Sequence, residues 1–205
     1  MALVVEHDKR KHEILAKALD VFIEDGYEDV TFQKIADRCG ITRTTLYIYF
    51  KNKREIFLFS IKQLLSDIDD SLQTDIFAKN LSAAEKLRCM LFTILDACAA
   101  NKKLFQVLLA YLIQLQKSGK DPNERVRRRV VKLRHTISSL IIQGIGAGEL
   151  KSDLNVKAAN DMLYGLIESA IFRVAVLGQN NCDKAKASVS LALNEFRRGA
   201  EAGFA

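Results

Sequence analysis

The chain contains a single proline, Pro122, in 205 residues. Proline breaks helix interiors but is frequent in turns and at strand edges. A proline content this low is therefore typical of an all-α protein. Glycines separate segments whose apolar residues recur with the spacing of amphipathic helices, and no segment alternates with the period of a strand. The sequence therefore predicts an all-α fold of about nine helices, long enough to bury a sizeable core.

Two short helices joined by a tight turn are predicted between Thr31 and Phe50. Thr31 and Thr42 have the side chains preferred at helix N-caps, and Gly40 supplies the positive φ that the turn between the helices requires. The apolar Ile41 follows, as expected for a residue that fills the space between the helices. This pattern indicates a helix-turn-helix.

A change of organisation is predicted just after this motif. Asn52, with Glu55 three residues later, forms a capping box that opens a long helix bridging two domains. We therefore expect a helix-turn-helix domain over residues 1–54, of three helices, and a larger helical domain for effector binding and dimerisation over residues 55–205.

Positive charge is concentrated around the helix-turn-helix. Residues 31–55 contain six lysines and arginines against two acidic residues, whereas residues 20–29 are strongly acidic. The whole chain has a formal net charge of +6, which favours polyanionic partners but identifies none by itself. Helix N-termini at Thr31, Thr42 and Asn52 add backbone N–H groups that suit phosphate oxygens.

The segment from Thr31 to Phe57, TFQKIADRCGITRTTLYIYFKNKREIF, resembles the TetR family of bacterial repressors. The matching positions are Thr31, Ile35, Ala36, Gly40, Ile41, Thr42, Leu46, Tyr47, Phe50 and Lys53. Thr44 departs from the pattern, since many members have glycine there. The resemblance covers about a quarter of the chain, and the rest matches only in layout, with the turn Gly148-Glu149-Leu150 before two long closing helices.

The resemblance implies a homodimeric regulator of transcription, expected to be a repressor, that reads a near-palindromic operator in double-stranded DNA. It assigns phosphate contacts to Thr31, Thr42, Tyr47, Tyr49 and Lys53. It assigns base-edge contacts to Gln33, Arg43, Thr44 and Thr45, of which Arg43 has the side chain that most often reads guanine.

An effector is expected to bind in the larger domain, among apolar side chains that include a few polar groups. The residues predicted to line this pocket are Phe92, Leu95, Phe105, Leu108, Tyr111, Leu112, Tyr164, Glu168 and Phe172. Most of these positions also suit plain core packing. Glu168 needs a partner in its apolar surroundings, which a cationic ligand, Arg173 or solvent would supply. The pattern favours a mid-sized, largely hydrophobic effector.

Dimerisation is assigned to the last two helices, because two long apolar helices often form a four-helix bundle with their copies. The residues predicted at the interface are Leu163, Leu166, Ile167, Ala170, Ile171, Val174, Leu191, Leu193 and Phe196.

Other functions are weighed against DNA reading. An all-α ligand-binding or scaffold protein explains the helices but not the motif, and an enzyme is disfavoured because no nucleophile–base pattern is present. The four cysteines lack metal-ligand spacing, and three of them, Cys39, Cys89 and Cys98, fall on apolar stripes, which favours buried thiols over a redox sensor. A basic run at 125–134 is interpreted as a solvated helix face. We expect a reduced, cytoplasmic protein without cofactor, metal or membrane span.

Overall fold

The computed structural model describes residues 2–72, 76, 80–121 and 123–197, without the side chains of residues 2–5, 64, 65, 67–72 and 123–126. Its described part contains nine α-helices and confirms the predicted all-α fold. The helices are α1 (Ala2–Asp29), α2 (Phe32–Cys39), α3 (Arg43–Tyr49), α4 (Lys53–Leu72), α5 (Ala83–Ala100), α6 (Lys102–Lys117), α7 (Asn123–Gly146), α8 (Val156–Ala175) and α9 (Asp183–Phe196). The sequence Asp121-Pro122-Asn123-Glu124 predicts a helix start, with proline at the first helical position, and Pro122 itself lies outside the described residues.

Capping side chains begin several helices where the sequence predicts them. Thr31 accepts a hydrogen bond from the Lys34 N–H, and Thr42 accepts one from the Thr45 N–H. The spacing of Ser82 and Glu85 in the sequence predicts a capping box, and the two residues form a complete one at the start of α5. Gly26 has φ 80° and ψ 161°, a conformation that favours glycine, and it interrupts α1.

The first of two compact units comprises the chain up to Asp70 and the segment Gln106–Tyr111 of α6. It extends well beyond the predicted boundary at residue 54. The reason is that the side chains of Ile56 and Phe57, on α4, are fully buried within this unit. Ser60 is also buried there and donates a 2.8 Å hydrogen bond to the Leu15 carbonyl oxygen of α1.

The second unit comprises Ser71–Phe105 and the chain from Leu112 onward, and its described helices are α5, most of α6 and α7–α9. Its core includes Leu91 and Leu95 of α5 and Ile141 of α7. Gly144 allows α7 to approach the next loop closely, because a Cβ at this position would lie only 2.9 Å from the Leu150 side chain.

The turn Gly148-Glu149-Leu150 ties the second unit together. The Glu149 carboxylate accepts hydrogen bonds from the Ala83 and Ala84 N–H groups, at 3.3 and 2.9 Å. Glu149 therefore caps α5 from a loop more than sixty residues away. The glutamate of the Gly148-Glu149-Leu150 turn, noted in the sequence, therefore acts as a helix cap.

Candidate DNA-reading surface and effector-contacting residues

The helix-turn-helix is formed by α2 and α3, and the sequence-predicted turn separates them. Gly40 adopts the left-handed conformation with φ 67°, and its N–H bonds back to the last turn of α2. Leu46 is fully buried and anchors α3 on the rest of the unit. The two caps and the glycine thus set the direction in which α3 presents its outer face.

The outer face of α3 consists of Arg43, Thr44, Tyr47 and Ile48, all of them exposed. The Arg43 guanidinium donates a 3.2 Å hydrogen bond to the Tyr47 hydroxyl. The Tyr47 ring stacks on Phe32 with 4.6 Å between centroids. Sequence reasoning did not assign Ile48 a role, although it is 71% exposed on a helix whose neighbouring apolar residue is buried.

The remaining predicted DNA contacts on α2 and α3 already have partners within the unit. Gln33 donates a 2.7 Å hydrogen bond to the Asp37 carboxylate, one turn along α2. The Thr45 hydroxyl lies 2.8 Å from the Thr42 hydroxyl. Tyr49 is half-buried and stacks on His7 of α1, with ring centroids 4.7 Å apart.

Lys53 lies at the first position of α4 and turns toward the protein. Its ammonium donates a 2.9 Å hydrogen bond to the Glu28 carbonyl oxygen and lies 4.9 Å from the Tyr27 ring centroid. The phosphate contact of Lys53 stays a prediction, and this half-buried side chain also joins α4 to the end of α1.

The local excess of positive charge is smaller than the sequence suggests. Lys34 forms a 2.7 Å ion pair with Asp25, and Arg38 pairs with Glu24 through the two terminal nitrogens of its guanidinium. The hydrogen bond to Glu24 and then its negative charge raise the pKa of Arg38. The acidic segment that precedes the motif thus neutralises the basic side chains of α2. Arg43, on α3, has no acidic partner among the described residues.

Tyr111 lies in an aromatic cluster of the first unit, contrary to its assignment to an effector pocket in the larger domain. It is 2% exposed and contacts the Tyr27 and Phe57 rings at 4.7 and 5.0 Å. Arg54 donates a 3.2 Å hydrogen bond to its hydroxyl. Burial, together with the neighbouring Tyr111, raises the pKa of Tyr27 to about 12. These contacts hold the Gln106–Tyr111 segment of α6 within the first unit.

The other predicted pocket residues lie in different environments. Leu95 is fully buried in the core, whereas Phe172 is about half exposed on α8. Phe92 lies between two cations, with the Arg88 guanidinium 5.8 Å and the Lys186 ammonium 5.5 Å from its ring. On α6, Phe105, Leu108 and Leu112 are half-buried. Leu108 belongs to the first unit and the other two to the second.

A row of polar side chains on α8 includes the two polar pocket residues predicted for that helix. Burial, and then the negative charge of Glu168 one turn further on, raise the pKa of Tyr164. One turn earlier, Asn160 is buried and donates to the Arg134 carbonyl oxygen and the Ser138 hydroxyl, both at 2.6 Å. Its Oδ1 has no hydrogen-bond partner among the described residues.

Sequence reasoning missed Asn160, although its position one turn before Tyr164 on an apolar helix is a usable signal. An unpartnered buried carbonyl oxygen is costly, so this atom suits a ligand or water that donates a hydrogen bond.

Most residues predicted at the dimer interface are buried within the single chain. Leu163, Ile167, Ala170, Val174, Leu193 and Phe196 are each less than 9% exposed, so they have no surface left for a partner. Leu166 and Ile171 are half-buried. The assignment of these buried residues is corrected, whereas Leu191 of the predicted set is exposed. The large apolar residues that α8, the loop after it and α9 expose are Met162, Phe172, Val176, Leu177 and Leu191.

The thiols lie in apolar surroundings. Burial raises the pKa of Cys39, Cys182 and Cys98, the last to about 12. Thiolates, the reactive form, are therefore disfavoured at these positions. Among the described residues, no three acidic, histidine or cysteine side chains are grouped so that they could hold a metal ion. Within the same part of the chain, no helix is long and apolar enough to cross a membrane.

Comparison with known families places both units in one class. Residues 14–58 match the model of the bacterial regulatory proteins of the tetR family, and residues 60–189 match the C-terminal region of YsiA-like proteins. The chain therefore belongs to the TetR family, as the sequence motif indicates. It is a ligand-responsive, DNA-binding regulator of transcription.

Individual relatives are regulators of the same kind. The chain is 26% identical to the fatty acid metabolism regulator protein of Bacillus subtilis, over 78% of this chain and 80% of that one. It is 26% identical to the transcriptional regulator SrpR of Pseudomonas putida, over 93% and 85%. Among solved structures, a TetR regulator from Haloarcula marismortui has a TM-score of 0.82 at 21% identity, covering 93% of this chain and 100% of that one.

A further structure, FadR from Bacillus subtilis in complex with stearoyl-CoA, has a TM-score of 0.71 at 25% identity and covers 89% of this chain and 97% of that one.

Proposed function

We propose that this protein is a cytoplasmic, homodimeric repressor that releases its operator when it binds a long-chain acyl-CoA. The observation that carries the effector class is the similarity, along most of both chains, to FadR in complex with stearoyl-CoA. An acyl thioester also satisfies the sequence-based expectation of a largely hydrophobic effector.

The DNA contacts proposed are those on the exposed face of the reading helix. Arg43 is exposed and is positioned by Tyr47, so it can reach a base edge while the tyrosine hydroxyl meets a phosphate. Thr44 and Ile48 complete the face, and an isoleucine suits the methyl group of thymine. Thr31, Gln33, Thr42, Thr45 and Tyr49 remain proposed contacts at its edge, and Lys53 is assigned a phosphate contact second to its bond with Glu28.

The polar row on α8 is proposed to orient the effector. The unpartnered Oδ1 of Asn160 can accept a hydrogen bond from an amide N–H, a group that the pantetheine arm of coenzyme A contains. Tyr164 and Glu168 lie on the same face, one and two turns further along.

The homodimer is proposed to form through the exposed apolar side chains of α8 and α9. Phe172 is 52% exposed and Leu191 is 66% exposed, so both side chains are available to a partner copy. Two copies are needed because the half-sites of a palindrome are read together, about 34–36 Å apart.

Release of DNA by the effector tests the proposal. A fluorescent duplex that the protein has selected would be titrated by anisotropy with stearoyl-CoA, free coenzyme A and stearate present in turn. We expect stearoyl-CoA to weaken binding about tenfold or more, and the two fragments to have little effect. Specific DNA binding that stearoyl-CoA leaves unchanged would refute the effector but keep the DNA reader. A protein with no sequence preference would refute both.

A further inference from the structure

A small polar cavity lies between the start of α5 and the end of α9 in the second unit. Its volume is about 150 Å³, and it is lined by Ala84, Arg88, Ser190, Leu193, Asn194 and Arg197. Four of these six side chains carry N–H or O–H donors, and none carries a carboxylate. Ser190 and Asn194 lie one turn apart on one face of α9, and Arg197 follows directly after the end of that helix with an extended backbone.

The loop after α7 contacts the chain close to both cavity arginines, Arg88 and Arg197. The Lys151 N–H donates a 2.9 Å hydrogen bond to the Phe196 carbonyl oxygen, and Leu150 forms an antiparallel bridge with Arg197. The same loop caps α5 through Glu149, one turn before Arg88. One short segment thus fixes the backbone on both sides of the cavity, which reduces the ordering cost of a ligand that bridges them.

The charge of the cavity is positive. Arg88 and Arg197 form no salt bridge with a described residue, and the nearby Glu85 is already occupied by the capping box, where it accepts a 3.0 Å hydrogen bond from the Ser82 N–H. Hydrogen bonds from Ser82 lower the pKa of Glu85, and the charges of Arg88 and Arg197 lower it further. Both guanidiniums therefore lie close to the same carboxylate, and one positive charge remains in excess.

We propose that this cavity is a second ligand site, which binds the phosphoryl group of a small phosphorylated metabolite or inorganic phosphate. The N–H groups of the two guanidiniums suit the oxygens of an anionic phosphoryl group, and the Ser190 hydroxyl and Asn194 amide supply further donors. The volume is well above the roughly 10–15 Å³ that a single water molecule needs on the same measure, so the cavity has room for a phosphoryl group with a small substituent. This site is separate from the DNA-reading helix and from the polar row on α8.

Calorimetric titration with inorganic phosphate, at constant ionic strength, tests the proposal on the full chain. The variants are Arg88→Gln and Arg197→Gln, and the matched control is Arg128→Gln, an exposed arginine of α7. We expect one saturable site per chain in the wild type and in the control. Each cavity variant should weaken binding about tenfold or more, because a charge-assisted pair of hydrogen bonds is lost.

Glycerol phosphate and acetate, titrated in the same way, address the ligand class. We expect glycerol phosphate to bind at least as tightly as inorganic phosphate, and acetate to bind much more weakly. Equal affinities in all four proteins, or no saturable binding by the wild type, would overturn the site, and acetate binding as tightly as phosphate would overturn the ligand. If either glutamine variant fails to fold by circular dichroism, Ser190→Ala replaces it, with a several-fold loss expected and an unchanged affinity contradicting the site.

Discussion

Thr42 illustrates how a single side chain shapes the reading surface. Its hydroxyl accepts a 3.1 Å hydrogen bond from the Thr45 N–H, which caps the start of α3. It also lies 2.8 Å from the Thr45 hydroxyl, so that hydroxyl already has a hydrogen-bond partner within the protein. The exposed residues free to meet base edges are then Arg43 and Thr44 on the first turn of α3, and Ile48 on the second. At the residue scale, sequence preference should therefore depend on Arg43 most of all.

Replacing Arg43 with alanine should reduce discrimination between the selected duplex and random duplexes. The loss expected is about 1–3 kcal/mol on the selected duplex, with a smaller loss on random DNA, because a guanine contact is sequence-specific and a phosphate contact is not. Anisotropy titrations at two salt concentrations measure both. Lys17→Ala, an exposed basic residue of α1, is the control. Equal losses on the two duplexes would show that Arg43 contacts only phosphate.

The buried thiols give a second prediction at this scale. Because burial raises the pKa of Cys39, Cys98 and Cys182, these thiols should react slowly with Ellman's reagent at pH 8 in the native protein. Cys89 is only half-buried and should react first. Counting the thionitrobenzoate released before and after denaturation checks this. Rapid reaction of all four thiols in the native state would revive a redox role.

At the scale of elements, two segments join helices that are distant in sequence: the loop after α7, and the part of α6 that lies in the first unit. Glu149 caps α5 across 66 residues, and Arg54 of α4 bonds to Tyr111 of α6 across 57. Helix ends and helix packing in this protein are therefore set partly by single long-range hydrogen bonds.

Changing Glu149 to glutamine should destabilise the protein by about 1 kcal/mol, because a neutral amide is a weaker acceptor for the N–H groups that begin α5. Urea unfolding followed by circular dichroism measures the free energy of unfolding. Asp153→Asn, an exposed residue of the same loop, should leave it within about 0.5 kcal/mol of the wild type. A change of the same size in both variants would argue against the cap.

Tyr111→Phe should preserve DNA binding but weaken the response to effector, because it removes the hydrogen bond that joins α6 to Arg54 while keeping the aromatic packing. The hydrogen bond contributes about 1 kcal/mol, so the effector's influence on DNA affinity should fall about fivefold. Anisotropy with and without stearoyl-CoA checks this. An unchanged response would show that the bond does not take part in coupling.

Local chemistry explains why some of these elements were predictable. The caps at Thr31, Thr42 and Ser82 act within four residues, so their pattern is visible in the sequence and predicts the helix starts. The pairing of Arg38 with Glu24 and the burial of Tyr111 depend on tertiary contacts and were missed. Periodicity identifies an apolar face but not what covers it, which is why Leu163 and Val174 were assigned to a dimer interface while they fill the core.

At the scale of the whole molecule, the account requires two copies acting together. The exposed apolar residues of α8 and α9, rather than the buried ones, are proposed to hold them. Sequence periodicity places the exposed and the buried apolar residues on the same two helices. Only the burial of each side chain in the structure distinguishes the two sets.

Leu191→Asp should dissociate the dimer at micromolar concentration, because a charge would be buried without a partner at the proposed interface. Sedimentation velocity should then report a 23.0 kDa monomer, and affinity for an inverted repeat should fall to that of a single half-site. Ile142→Asp, at a similarly exposed apolar position on α7, is the control and should remain dimeric. Dissociation in both variants, or in neither, would contradict the interface.

The most direct measurement is selection of bound sequences from a randomised duplex pool, with Arg43→Ala in parallel. The account predicts that the wild type enriches an inverted repeat whose half-sites lie about one helical turn apart, and that the variant enriches it weakly. Enrichment of nothing by the wild type, also after the protein has been denatured and refolded free of any bound ligand, would contradict a sequence-specific dimeric regulator.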